Sequence, residues 1–223
     1  MKKYGPFLFA LILLLHCLFI YLGMNDLRNL SKFLLIPLLI LYLFALAGEK
    51  AGPLVYCGLL FSFAGDLLLS RSGETFFLLG MLAFIGTHVC NSVYFFRLQK
   101  EQKGNGNLVL VSIFLLAALS AFVFRLLQPH LGSFQWPILF YMFIISLMAV
   151  LATRSANNSS VKHIALRCFI PGAAFFVLSD AALAMNKFLW HEPLVDIAVM
   201  LSYGAAQYCL VRGFAKVPEL PTK

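Results

Sequence analysis

Two aspartates stand where the surrounding residues belong in hydrocarbon. Asp66 precedes Leu67-Leu68-Leu69, and Asp180 closes the run Phe175-Phe176-Val177-Leu178-Ser179. A carboxylate at membrane depth costs about 3 kcal/mol on insertion scales, so it normally faces a polar interior or a water-filled cavity and marks a functional site. Further polar residues recur at helical spacing around the pair. Thr87, His88, Asn91 and Tyr94 form one strip, and Asp196, Tyr203 and Gln207 fall at i, i+7 and i+11 on another. Lys32 sits at the mouth of its own apolar run, where it can snorkel to headgroups or pair with an aspartate. Carboxylates, an imidazole and hydroxyls in one low-dielectric site can hold and pass protons, either as a transport relay or as a general acid and base.

The sequence argues against other chemistries. His16, His130, His163 and His191 scatter over different segments with no HxxxH or HxxH pair, so no metal site is indicated. No GxxxxGK[ST], GxGxxG or GxSxG pattern occurs, which removes the usual nucleotide cradles and the serine-hydrolase elbow. Cys17, Cys57, Cys90, Cys168 and Cys209 lie in apolar segments without CxxC spacing and are expected to be small buried thiols.

Helices in lipid must position these residues. Of 223 residues 61% are hydrophobic and 12% charged, far too little polar surface for a soluble domain. Runs of about 20 apolar residues predict an all-α, polytopic transmembrane bundle of about eight spans. They fall near 5–23, 30–47, 53–70, 75–97, 107–127, 134–152, 164–185 and 193–213, in a single domain over 1–223. Gly48 to Pro53, Ser72-Gly73, Gly104-Asn105-Gly106 and Ser155 to Ser160 punctuate the connections. Met1-Lys2-Lys3 ahead of an apolar run imitates a signal peptide, but no small-residue cleavage site follows, so the segment is expected to be a retained first span.

The net charge of +8 would raise nucleic-acid binding in a soluble protein. Here the cations sit in short loops, where they set orientation instead, and no nucleic-acid partner is expected. Twelve of the 17 Lys and Arg fall on the side of the termini and five opposite, so both termini are expected to be cytoplasmic. Short loops further suggest a bacterial inner membrane. Asp66 lies four residues from Ser70, about 6 Å along the axis, and Asp180 five residues from Met185. Both therefore fall in the outer half at similar depth, as one shared site would require. A faint internal repeat accompanies them. Gly58 to Asp66 aligns with Gly172 to Asp180, matching Gly, Phe and Asp, as a parallel four-plus-four duplication would. Gly58, Ser62, Gly65 and Asp66 share a small-residue face that admits another helix closely.

These segments resemble the YhhN-like lysoplasmalogenase family. The resemblance rests on Ser62-Phe63-Ala64-Gly65-Asp66, on Phe76-Phe77-Leu78-Leu79-Gly80 leading to Phe84 and His88, and on Tyr141-Met142 with Ser146-Leu147-Met148. It continues through Gly172-Ala173-Ala174-Phe175-Phe176-Val177-Leu178-Ser179-Asp180 to Phe188, and through the Tyr203-x-x-x-Gln207 segment. Lys32 with Pro37 resembles the family's Lys-Pro segment, although Phe33 replaces the usual proline and Asn91 a usual tyrosine.

The resemblance implies a membrane-embedded hydrolase of the vinyl ether bond of lysoplasmalogens, yielding a fatty aldehyde and a glycerophospho-headgroup. Such hydrolysis starts by protonating the alkene carbon and ends with water attacking an oxocarbenium ion. It needs one carboxyl protonated and another charged, a division that burial and mutual repulsion produce. Asp180 is expected to be the acid and Asp66 the base. Lys32 would contact phosphate or hold a carboxylate ionised, while His88, Asn91, Tyr94, Tyr203 and Gln207 line the substrate side. The partners are a lysophospholipid, water and membrane lipid, and no cofactor is required. The competing expectations are a proton-coupled transporter of a small solute or lipid, and a non-enzymatic lipid-binding membrane protein. Transport sites cluster near the midplane at broken helices, whereas these aspartates sit off-centre with no Gly/Pro break in the neighbouring segments.

Overall fold

The computed structural model describes residues 1–99 and 106–217, and within them the chain forms eight long helical segments. They are α1 (Gly5–Tyr21), α2 (Asn25–Ala47), α3 (Pro53–Leu69), α4 (Glu74–Arg97), α5 (Asn107–Leu127), α6 (Gln135–Arg154), α7 (Lys162–Trp190) and α8 (Pro193–Phe214). Each covers all or most of one of the eight apolar runs. Six are long and apolar enough to cross a bilayer, while α1 and α3 are apolar but only 17 residues long. The chain is an integral, multi-pass membrane protein, its backbone polar groups satisfied within the helices as lipid demands. Lys100, Lys103 and Lys223 of the charge pattern, with Gly104 and Asn105 of the expected turn, lie outside the described residues.

Helix starts follow local chemistry. Pro53 and Pro193 occupy first-turn positions, where a missing N–H costs nothing. Gly52 and Gly73 precede α3 and α4 at φ +79° and +113°, backbone that L side chains rarely adopt. The end of α7 departs from the expected boundary at Met185. The helix continues through a π-helical turn, Asn186–Trp190, and stops at His191 in the left-handed region. Asn186 fastens that turn, donating to the Glu192 carbonyl and to Asp196 while its Oδ1 accepts from the Glu192 N–H. Asp180 is therefore ten residues from the end of its helix rather than five.

Packing runs α2–α3–α4–α6–α7–α8 and back to α2, closing a ring of six helices. α1 lies outside against α2 and α8, and α5 outside against α6. α5 buries only Val123 and Leu127, whereas each of the other seven buries six or more residues. Contacts between helix ends define one face of the bundle. Arg28 meets Asp196 there, and Phe77, Phe134 and Phe188 meet ring to ring. This end, carrying the α1–α2, α3–α4, α5–α6 and α7–α8 connections, is called the far end below.

The cysteines follow expectation only in part. All are free, and Cys17 and Cys168 are buried, but Cys57 is exposed on the flank of α3. Its position on an apolar helix reports hydropathy, which does not distinguish a lipid-facing side from a packed one.

Candidate active site

α3 delivers Asp66 to the interior because its small residues allow neighbours to close in. A side chain at Gly65 would place Cβ 2.6 Å from the Phe84 ring of α4, and one at Gly58 would meet Cys90 and Asn91 at 3.3 and 3.5 Å. Asp66 is 2% exposed and each of its carboxylate oxygens has a partner. The Tyr203 hydroxyl of α8 donates to Oδ2 at 2.8 Å, and the Lys32 ammonium of α2 lies 3.7 Å from Oδ1. Lys32 thus joins an aspartate rather than only reaching for the interface.

Asp180 forms a second cluster across the ring. The Tyr141 hydroxyl of α6 donates to Asp180 Oδ2 at 2.5 Å. His88 Nε2 of α4 lies 3.3 Å from the same oxygen and 3.1 Å from the Tyr141 hydroxyl. His88 is fully buried, and its Nδ1 has no hydrogen-bond partner among the described residues. Asp180 is less enclosed than Asp66, with side-chain exposures of 12% and 3%, and it lines a small apolar cavity with Val123, Ile138 and Ala181.

The two clusters share a wall. The Phe176 ring packs edge-on against Tyr203 at 5.6 Å and against His88 at 4.8 Å, and Phe84 touches both Phe176 and Tyr203. A polar chain supports them from beneath. Gln207 Nε2 donates to Ser62 Oγ at 2.9 Å, Ser62 and Thr87 share a bond of 3.0 Å, and Thr87 lies 3.1 Å from the Gly58 carbonyl it donates to. Such fully satisfied buried networks fix helix register and rotamers.

Asp66, Asp180, Lys32, His88 and Tyr203 are therefore brought together, with Gln207 one contact removed. Asn91 packs beside Gly58, one turn along α4 from Thr87. Tyr94 does not join them. It is 2% exposed within an aromatic cluster of Phe95, Phe169 and Phe214, about 9 Å along α4 from His88. Asp196 also leaves the stripe predicted for it. Seven residues before Tyr203, it pairs at the far end with Arg28 at 2.7 Å and with Asn186. Periodicity assigns a face but not a depth, and both residues sit at the wrong depth. Tyr141 is the partner that polar spacing missed, because it is the only strongly polar side chain in its stretch of α6. The signal available was its place in the Tyr141-Met142 segment. Among the described residues no group of three potential metal ligands occurs.

Comparison with known proteins adds an independent line. The profile of the YhhN family matches residues 27–214. The chain is 29% identical over 182 residues to the human protein named lysoplasmalogenase TMEM86A, covering 77% of this chain and 72% of that protein. It is 26% identical over 164 residues to a lysoplasmalogenase of Mycobacterium tuberculosis, covering 73% of this chain and 60% of that one. No solved structure matches significantly.

Proposed function

The chain belongs to the YhhN family, and from that premise we propose that it is a membrane-embedded hydrolase of the vinyl ether bond in lysoplasmalogen-type lipids. The observation that carries the reading is the difference between its two aspartates. Asp66 faces a lysine ammonium at 3.7 Å, whereas Asp180 faces a tyrosine hydroxyl and an imidazole and opens on an apolar cavity. One carboxylate beside an ammonium and another beside a tyrosine hydroxyl and an imidazole have the unlike surroundings that acid–base cleavage needs.

In this reading Asp180 carries its proton on Oδ1, the oxygen that Tyr141 and His88 leave free. That proton adds to the alkene carbon distal to the ether oxygen and leaves an oxocarbenium ion. The Asp66 carboxylate supplies compensating negative charge, and water adds to the cationic carbon. The proton water loses passes to Asp66; as the hemiacetal collapses to an aldehyde, Asp66 gives that proton to the departing glycerol oxygen and the hemiacetal hydroxyl returns one to Asp180. The sum is one vinyl ether and one water giving one aldehyde and one alcohol. Tyr141 and His88 fix the Asp180 rotamer, while Lys32 and Tyr203 fix Asp66. Gln207 acts through Ser62, so it is a positioning residue.

Twelve of 17 cations on the terminal side support an orientation with the far end outward. The aspartates are then reached from the outer side, Asp66 about 6 Å and Asp180 about 15 Å along their helices from the outer ends. The test is aldehyde release from a vinyl-ether lysolipid by purified protein in detergent. Steady release abolished by Asp180→Asn supports the reading, and no release from any headgroup class overturns it. Proton-coupled uptake into proteoliposomes would instead favour a transporter.

A further inference from the structure

On the side of α4, α6 and α7 an aromatic cluster stands between Asp180 and the far end of the bundle, while a cavity lined by Arg28, Leu183, Asn186 and Asp196 opens at that end between α2, α7 and α8. Phe77, Phe134 and Phe188 meet with ring centroids 5.5 to 5.7 Å apart, and the Lys187 ammonium lies 5.5 Å over the Phe77 ring. Leu127 and Leu131 pack into the same cluster and are 0% and 2% exposed. A lipid approaching from the aqueous side between α4, α6 and α7 would have to part this cluster.

The side toward the bilayer is built differently. Between α5, α6 and α7 lies a cavity of about 50 Å³, lined by Val123, Leu127, Ile138, Tyr141, Ala181 and Asp180 among others. It is far smaller than the roughly 300–1,000 Å³ of pockets that enclose a whole ligand, so a hydrocarbon chain fits only if a wall moves. The wall able to move is α5, which buries two residues and, among the described residues, has one side-chain hydrogen bond to another helix, Ser120 to Ser146 at 3.4 Å. Both serines sit on the terminal side of Asp180 and line the floor of the cavity. For apolar side chains, exchanging helix contacts for lipid contacts carries no hydrophobic penalty and gives up only packing contacts.

We propose that this cavity is the seat of the hydrocarbon chain of a single-chain lipid, which enters sideways from the bilayer by displacing α5 from α6 and α7. The chain then lies along the α6–α7 groove, and the bond next to the headgroup is presented to Asp180. The identity of the bond attacked rests on the hydrolase reading above; the seat for the chain does not.

A crosslink across the floor tests this. Ser120→Cys with Ser146→Cys places two thiols where the serine oxygens are 3.4 Å apart, a gap that oxidation would close to the roughly 2.05 Å of an S–S bond. The probe is a radiolabelled 1-O-alkyl lysophospholipid, whose saturated ether has no vinyl group to cleave. Oxidation of the double variant should lower its binding at least tenfold, and reductant should restore it, with wild type unchanged under both conditions. Ala184→Phe, which fills the cavity from α7 without any thiol chemistry, should weaken the same binding by a similar factor. Unaltered binding in the crosslinked protein, or in Ala184→Phe, overturns the proposal. The two readings fail separately. Reduced protein that binds the alkyl lipid but releases no aldehyde from its vinyl counterpart sinks the hydrolase and leaves the chain seat. Crosslinked protein that releases aldehyde at the uncrosslinked rate sinks the seat and leaves the hydrolase.

Discussion

Asp66 and Asp180 each take one partner from their own half of the chain and one from the other. Lys32 of α2 and Tyr203 of α8 serve Asp66, and Tyr141 of α6 and His88 of α4 serve Asp180. Neither four-helix half can therefore assemble either carboxylate site alone. Closing the six-helix ring brings both sites into being together, with Phe176 as the wall between them. Substitutions in the two clusters should accordingly differ in what they damage.

Asp180→Asn removes the proposed acid while keeping the acceptor for Tyr141. General acid catalysis contributes about 10² to 10⁴ in rate, so kcat for aldehyde release should fall by that factor with little change in thermal midpoint. Tyr141→Phe should lower kcat about 10- to 100-fold, the loss expected for one hydrogen bond to a charged or proton-sharing group. Equal activity of Tyr141→Phe and wild type would remove Tyr141 from the site.

Lys32→Met leaves the buried Asp66 carboxylate without its counter-charge. Breaking one partner of a buried pair costs about 3–5 kcal/mol, readable as a fall in thermal midpoint in detergent. The double variant Lys32→Met with Asp66→Asn should recover most of that stability and none of the activity. Recovery of turnover along with stability would mean that the pair is structural only.

Gly65→Ala would drive its new methyl group to 2.6 Å from the Phe84 ring. Overpacking of this kind costs about 1–3 kcal/mol, and it should separate α3 from α4 at the level of Asp66. Pairing it with Phe84→Leu should restore part of the stability. If Gly65→Ala melts at the wild-type temperature, the close approach of α3 and α4 is not what holds Asp66 in place.

Ser62→Ala cuts the chain that joins Gln207 to Thr87. Interhelical hydrogen bonds in membranes are worth about 0.6 kcal/mol each, so stability should drop by about 1 kcal/mol and kcat/KM by a few-fold as Tyr203 loses its support. Tyr94→Phe, in the separate aromatic cluster, should change kcat/KM by less than about two-fold, because its ring contacts survive.

Much of this molecule was readable from residue types alone. Eight apolar runs gave eight helices, because in lipid the backbone has almost no alternative once a run is long enough. Asp66 and Asp180 stood out for the complementary reason, since an ionisable group in such a run is costly enough to need a cause. Polarity at helical spacing marks His88, Tyr203 and Gln207 as candidates, and a place at the mouth of an apolar run marks Lys32. Pairing and depth were not readable. Spacing along one helix says which side chains share a face, but it does not say which other helix meets that face or at what height. Tertiary packing alone decided that Lys32 meets Asp66 and that Tyr141 meets Asp180. It also carried Asp196 away to Arg28 and sealed Tyr94 among Phe95, Phe169 and Phe214. Apolar periodicity determines that a helix exists and spans; the identity of a carboxylate's neighbours depends on which helices close the ring.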